Sequence, residues 1–229
     1  MCGRYTLTVD ASLLAELFEL DPPTELRPRY NIAPTQRVPI VRATQATGRE
    51  WAEVRWGLIP FWAKDGAIGN RLINARAESA AAKPSFRSAF KHRRCLVPAD
   101  GFFEWATTVD GKQPYHIRFA DRRPFAFAGL WERWSPDDEP TVESCTILTT
   151  KPNDLIANLH DRMPVILPPD RFADWLVEGP IGPDAAEAML VPHPSDGMEA
   201  VPVSTRVNSP KHDDPGCLEP LGDQGALNF

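Results

Sequence analysis

Apolar positions follow helical spacing in only a few short stretches of this chain. Elsewhere they alternate with polar residues or cluster in runs too short for a helix. Leu13, Leu14, Leu17 and Phe18 form one stripe, with Asp10 placed as a cap, and predict a helix over Val9–Leu20. Asp21-Pro22-Pro23 stops it. The proline-punctuated stretch from Arg27 to Pro34 is expected to hold no regular element. Val38–Val41 and Glu53–Ile59 read as strands, and the apolar Cys95–Pro98 as a buried one. Gly101–Thr107 and Gln113–Phe119 flank Asp110-Gly111, which predicts a hairpin. Phe125–Trp131, Ser144–Thr150 and Met163–Leu167 add strands. Residues Asn70–Ala82 read as a loop entering a short helix. Pro84–Phe90 (with Pro84 near its first turn), Asn153–Leu159, Arg171–Val177 and Asp184–Leu190 read as short helices.

Strands and helices do not alternate regularly, so a doubly wound sheet is disfavoured. The pattern predicts an α+β fold: one domain with a curved, barrel-like, mostly antiparallel sheet and short flanking helices. A length of 229 residues fits one large domain, taken as residues 1–208. The polar, Pro-rich stretch at 209–229 is expected to be a loosely ordered tail. Neither a glycine-rich phosphate loop nor a Gly-x-Ser-x-Gly elbow is present.

Composition narrows the function classes. No apolar run approaches 18 residues and no basic, apolar leader is apparent, so a cytoplasmic protein with no membrane contact is expected. Four scattered cysteines form no Cys-x-x-Cys pair, and five histidines fall in no metal spacing, so neither metal nor other cofactor is expected. The net charge of −6 argues mildly against nucleic acid, but its distribution argues the other way. Seven Lys or Arg lie between Arg71 and Cys95 against one acid, Glu78, whereas Asp174 to Phe229 holds ten acids against Arg206 and Lys211. A basic centre can hold a polyanion locally, although a solvated helical face has the same composition.

The chain begins Met1-Cys2-Gly3-Arg4. A small second residue favours removal of Met1, which leaves Cys2 with a free α-amine and a thiol on adjacent carbons. That 1,2-aminothiol condenses with an aldehyde to an imine, and the thiol closes a five-membered thiazolidine. An α-amine with a pKa of about 7.7–8.0 is roughly one-tenth neutral at pH 7. Position alone equally allows Cys2 to be a bystander near a mobile terminus.

Four segments exceed what fold maintenance requires: Cys2–Tyr5; Trp56–Trp62 with Ile73–Glu78; Arg94–Trp105, which contains Gly-Phe-Phe-Glu-Trp; and His160–Leu167. In order and spacing they closely resemble the SOS-response-associated peptidase (SRAP) family, from Cys2 to about Arg206. The resemblance implies the SRAP fold and a sensor of abasic sites in single-stranded DNA, with a catalytic set of Cys2, Asn74, Glu104 and His160. Cys2 would trap the ring-opened sugar aldehyde as a covalent, reversible crosslink that shields the lesion. Glu104, flanked by aromatics, suits proton shuttling if burial raises its pKa, although strand alternation also lets it face water. His160 would help open the sugar, and Asn74 would orient it or hold the amine; a satisfied structural histidine and a turn asparagine are the plain alternatives. Arg4, Arg76 and Arg162 suit phosphates, or ordinary surface ion pairs. Phe61 and Trp62 suit base stacking, or a core, while Pro39 and Thr149 are candidates for the pocket wall. The implied partner is abasic single-stranded DNA, met by a monomer. An N-terminal-nucleophile amidohydrolase or a cysteine peptidase using Cys2 is the alternative, as is a noncovalent single-strand binder.

Overall fold

The computed structural model describes residues 2–44, 48–109, 111–136, 140–177 and 179–221. The strands are β1 (Tyr5–Leu7), β2 (Arg29–Ile32), β3 (Arg37–Thr44), β4 (Gly48–Trp56), β5 (Asn74–Arg76), β6 (Arg94–Ala99), β7 (Gly101–Thr108), β8 (Gly111–Phe119), β9 (Phe125–Trp134), β10 (Val142–Thr150), β11 (Met163–Pro164), β12 (Ile166–Leu167) and β13 (Met198–Pro202). The helices are all short: α1 (Ala11–Phe18), α2 (Ala77–Ala80), α3 (Arg87–His92), α4 (Asp154–Ala157), α5 (Phe172–Leu176) and α6 (Pro183–Met189).

Strands β10-β4-β3-β6-β9 close on themselves through the β9–β10 pairing and form a five-stranded barrel, to which β5, β11 and β12 attach. All pairings are antiparallel except those of β10 with β4 and with β5. A second antiparallel sheet runs β13-β8-β7-β1-β2. The α+β, barrel-like expectation therefore holds. The two sheets share a core through Tyr5 of β1, whose ring meets Trp56 of β4 at 5.3 Å and Phe127 of β9 at 5.9 Å, both edge-on. Strand β6 is buried at every position, which is why its apolar run does not alternate.

The hairpin around Gly111 is present as β7–β8, with Phe103 opposite His116 and Glu104 opposite Tyr115; Asp110 lies outside the described residues. β4 ends at Trp56 and not at Ile59, because Gly57 turns the chain at φ +122°. A Cβ there would stand 2.6 Å from the Gly69 carbonyl oxygen. α3 starts at Arg87, three residues after Pro84, following a turn in which the Phe86 amide donates to the Lys83 carbonyl. In α1, Leu14 and Phe18 are buried, while Leu13 faces outward.

Two expectations near the termini differ from the structure. The Arg27–Pro34 stretch contains strand β2, because Pro28 and Pro34 bracket the strand without interrupting it. Its amides are satisfied from outside the sheet: the Tyr30 and Asn31 N–H groups donate to Asp213 Oδ1 at 2.6 and 3.0 Å, and Arg29 pairs with the other oxygen of that carboxylate. Of the expected tail, residues 209–221 are held and not loose, and 222–229 lie outside the described residues. Asn31 Nδ2 donates to the carbonyls of Val207, Ser209 and His212, Pro215–Leu218 forms a 3₁₀ turn, and Cys217 is buried with Phe103, Val203 and Val207. Polar composition hid this because backbone carbonyls and carboxylates, not apolar side chains, make most of the attachment. Replacing Asp213 with Ala removes a charge-assisted cap on two amides and one guanidinium. It is expected to cost about 2 kcal/mol in urea unfolding; an unchanged midpoint would show that water replaces the carboxylate without loss.

Candidate active site

The site is built where β1 enters the second sheet. Tyr5 pairs with Phe102 and Thr6 with Gly101, and the Phe103 amide donates to the Arg4 carbonyl at 3.0 Å, so the register runs on from Arg4 toward Glu104. In the chain carrying Met1, Cys2 is fully buried. Its carbonyl accepts the side-chain amide of Asn74 at 2.8 Å, and its Sγ lies 3.7 Å from the Arg4 carbonyl oxygen. Asn74 opens β5, which lies parallel to β10 of the barrel assembly, with Asn74 opposite Ile147. One hydrogen bond thus ties the N-terminal residue of the second sheet to the first. The Oδ1 of Asn74 is buried and has no hydrogen-bond partner among the described residues.

Glu104 and His160 face a common cavity of about 450 Å³ completed by Trp105, Lys112 and Asn208. Burial raises the Glu104 carboxyl from 4.5 to about 7, with the Asp161 charge adding to the rise. Burial, followed by the charge of Glu104, pushes the Cys2 thiol well up. Burial also lowers His160. The Arg162 amide donates to His160 Nδ1 at 2.9 Å, which requires that nitrogen to be unprotonated and places the proton of the neutral ring on Nε2.

The other sequence-selected residues divide. Arg162 is only 9% exposed. Its fork is engaged bidentately by Glu78 at 2.8 Å for both contacts, and Nη2 also donates to the Thr149 carbonyl at 2.6 Å. Thr149 is fully buried against the Ala75 carbonyl. Arg4 braces the C-terminal segment, donating to Asn31 Oδ1 and to the carbonyls of Val207 and Asn208. Arg76 is exposed. Phe61 and Trp62, 56% and 47% exposed, line a separate groove of about 1240 Å³ together with Glu78, Arg87, Lys91 and Thr150. Pro39 lies on β3 opposite Glu53 and lines neither cavity.

Sequence reasoning missed Asn208, Lys112 and Glu78. Asn208 accepts the Trp105 indole N–H at 2.7 Å through Oδ1, so the segment after β13 supplies one wall of the Glu104 cavity. Nothing in the sequence pattern around Asn208 signals this. The Asn-Ala-Arg-Ala-Glu run at 74–78 did carry a signal for Glu78.

A barrel joined to a second sheet, with a cysteine at position 2 drawn inside beside a buried glutamate, defines a single-domain protein whose second residue is built into the fold. The chain belongs to the SOS response associated peptidase (SRAP) family, which it matches over residues 1–210. It is 43% identical over 224 residues to abasic site processing protein YoqW of Bacillus subtilis (strain 168), covering 96% of this chain and 99% of that protein. It is 31% identical over 229 residues to abasic site processing protein YedK of Escherichia coli (strain K12), covering 96% and 100%. The crystal structure of a protein from Bacteroides thetaiotaomicron superposes with a TM-score of 0.83 at 28% identity, covering 96% of this chain and all of that one. Among the described residues no helix is long and apolar enough to cross a membrane.

The raised carboxyl makes a stability prediction. A group that binds its proton more tightly when folded contributes stability fully below its unfolded pKa, near 4.5, and loses it as pH rises through about 7. Glu104→Gln keeps the shape without the charge. It is therefore expected to gain on the parent as pH rises across that window, approaching about 3 kcal/mol above pH 7. Urea unfolding of both proteins across that range tests this; identical pH profiles would show that the carboxyl ionises in the fold without cost.

Proposed function

We propose that this protein acts as a cytoplasmic monomer that recognises abasic sites in single-stranded DNA and, once Met1 is removed, captures them covalently through Cys2. The amine attacks the aldehyde carbon of the ring-opened sugar, water leaves to give an imine, and the thiol adds across the C=N bond. The thiazolidine retains every atom except that one water. The observation that carries this reading is a cysteine at position 2 fixed by Asn74 beside a buried carboxyl with a pKa of about 7. The relatives YoqW and YedK, both abasic site processing proteins, support the same substrate.

Each role follows from the chemistry of the group. Glu104, half-ionised near pH 7, carries a proton from the attacking amine to the departing hydroxyl and then one from the thiol to the imine nitrogen. His160, neutral with its proton on Nε2, donates to the sugar oxygen as the ring opens. Asn74 holds Cys2 by its carbonyl, and its buried Oδ1 is an acceptor for the freed amine. Arg76 takes a phosphate, with Arg4 and Arg162 shaping the strand's path. Phe61 and Trp62 stack on unpaired bases, each stack worth about 1–3 kcal/mol. Thr149 accepts the Arg162 fork through its carbonyl. A peptidase reading has less behind it, because the recorded neighbour of the Cys2 thiol is a carbonyl oxygen and burial raises the thiol, whereas a nucleophilic thiolate needs the opposite.

Incubating the protein with an abasic single-stranded oligonucleotide is expected to give a band that survives denaturing electrophoresis. Its intact mass should equal the Met1-free chain plus DNA less one water. Cys2→Ala should form no such band while still binding reversibly. Binding that denaturant always dissolves would overturn the covalent reading. Arg76→Ala is expected to reduce the slope of log affinity against log salt by about one phosphate contact; an unchanged slope would remove Arg76 from the interface.

A further inference from the structure

Two concave features bear on this site: the Glu104–His160 cavity, and the separate aromatic groove lined by Phe61, Trp62 and Glu78. Arg162 is buried and touches one lining residue of each. On one side its fork is filled by the Glu78 carboxylate, with both contacts at 2.8 Å, and its Nη2 also donates to the Thr149 carbonyl. On the other side its main-chain N–H donates to His160 Nδ1 at 2.9 Å. Glu78 itself leads from α2, directly after β5, the strand that carries Asn74.

His160 Nδ1 has a second suitor. Asp161 Oδ1 also stands 2.9 Å from it. The two contacts exclude one another, since the Arg162 amide needs a bare nitrogen and the Asp161 carboxylate needs a protonated one. The hydrogen bond at one imidazole nitrogen decides where the proton of the other sits. Whatever fixes the 160–162 turn therefore fixes which state of the ring faces the cavity. Among the described residues, Asp161, Arg162, Glu104 and Lys112 are charged groups around His160, and Arg162 is anchored by a bidentate ion pair with Glu78.

We propose that Glu78 is a positioning residue for the reaction: by clamping the Arg162 fork it holds the Arg162 amide on His160 Nδ1 and keeps the imidazole proton on Nε2, toward the cavity. Glu78 touches neither the sugar nor the nucleophile. Its side chain is 54% exposed on the groove side, so its loss leaves no cavity in the core. The carboxylate is held below its ordinary range chiefly by the Arg162 hydrogen bonds, and the clamp therefore persists throughout the neutral range.

The inference rests on the covalent reading for its kinetic test but has a second test that does not. In the DNA-free protein, long-range nitrogen–proton spectra of the His160 ring should show the Nε2–H form, and Glu78→Gln should convert a large share of it to the Nδ1–H form. With abasic single-stranded DNA, Glu78→Gln should slow formation of the crosslinked band by about tenfold, less than removal of the acid itself. The double variant Glu78→Gln with His160→Gln should be no slower than His160→Gln alone, since a residue acting through His160 has nothing left to position. Multiplying losses in the double variant, or an imidazole spectrum that ignores Glu78→Gln, would overturn the proposal. Tighter binding of undamaged strand at an unchanged crosslinking rate would overturn it too, because Glu78 would then be a phosphate competitor. A wild-type protein that forms no crosslink defeats the covalent reading, and the imidazole spectra still decide the role of Glu78.

Discussion

A second residue cannot be buried unless the strand that follows it is held on both edges, and the short strand β1 is held on more than its edges. Its three residues lie between β2 and β7. The Thr6 hydroxyl donates to Asp100 and also meets His116 Nε2, while the same carboxylate accepts the Thr8 and Val9 amides. His116 is admitted because residue 101 is glycine; a Cβ there would lie 2.0 Å from the imidazole nitrogen. Tyr5 of the same strand packs edge-on against Trp56 and Phe127 of the barrel. The segment from Cys2 to Val9 is therefore not a loose end near a site, and the Asn74 bond to Cys2 ties it to the first sheet.

The same burial sets the proton chemistry. Glu104, His160 and the Cys2 thiol are all moved in the direction that favours the uncharged form, and desolvation is the leading cause for each. Imine formation needs a neutral amine, so a pocket that penalises charge favours the reacting form of an α-amine in the same place. The penalty also falls on the thiolate needed for ring closure, so a base has to stand beside the thiol. Glu104 is that base in the proposed reaction, and at about 7 it is the one group of the three poised between its two forms at neutral pH.

The barrel was legible because its strands carry uninterrupted apolar runs, as in Cys95–Pro98 and Phe125–Trp131, and the second sheet because Asp-Gly marked the β7–β8 hairpin. The site residues were legible as motifs, but their partners were not. Arg4 and Arg162 sit next to reactive residues in sequence, which suggested phosphate contacts; the fold spends most of their donors on backbone carbonyls and Glu78. β2 was hidden because proline content outweighed a four-residue strand whose outer amides are capped by a carboxylate 183 positions away in sequence. Long-range polar pairing of this kind leaves no periodicity to read.

Counting charges along the chain overstates the basic patch for the same reason. Of the seven cations between Arg71 and Cys95, Arg94 is buried with its donors on the carbonyls of Phe90, Lys91, Trp175 and Val177, and Arg93 is paired with Glu132. Arg71, Arg76, Lys83, Arg87 and Lys91 remain exposed, and Arg87 and Lys91 line the groove that holds Phe61 and Trp62. The acidic end is reduced as well, since Asp213 and Asp214 are engaged by Arg29 and Arg206. The net charge of −6 therefore describes little of what a strand lying in that groove would meet. Only cations that can exchange a counterion for a phosphate contribute to salt-dependent affinity. The fold leaves a short run of them beside exposed aromatics, and in the proposed reading that arrangement would hold unpaired strand without having to read its sequence.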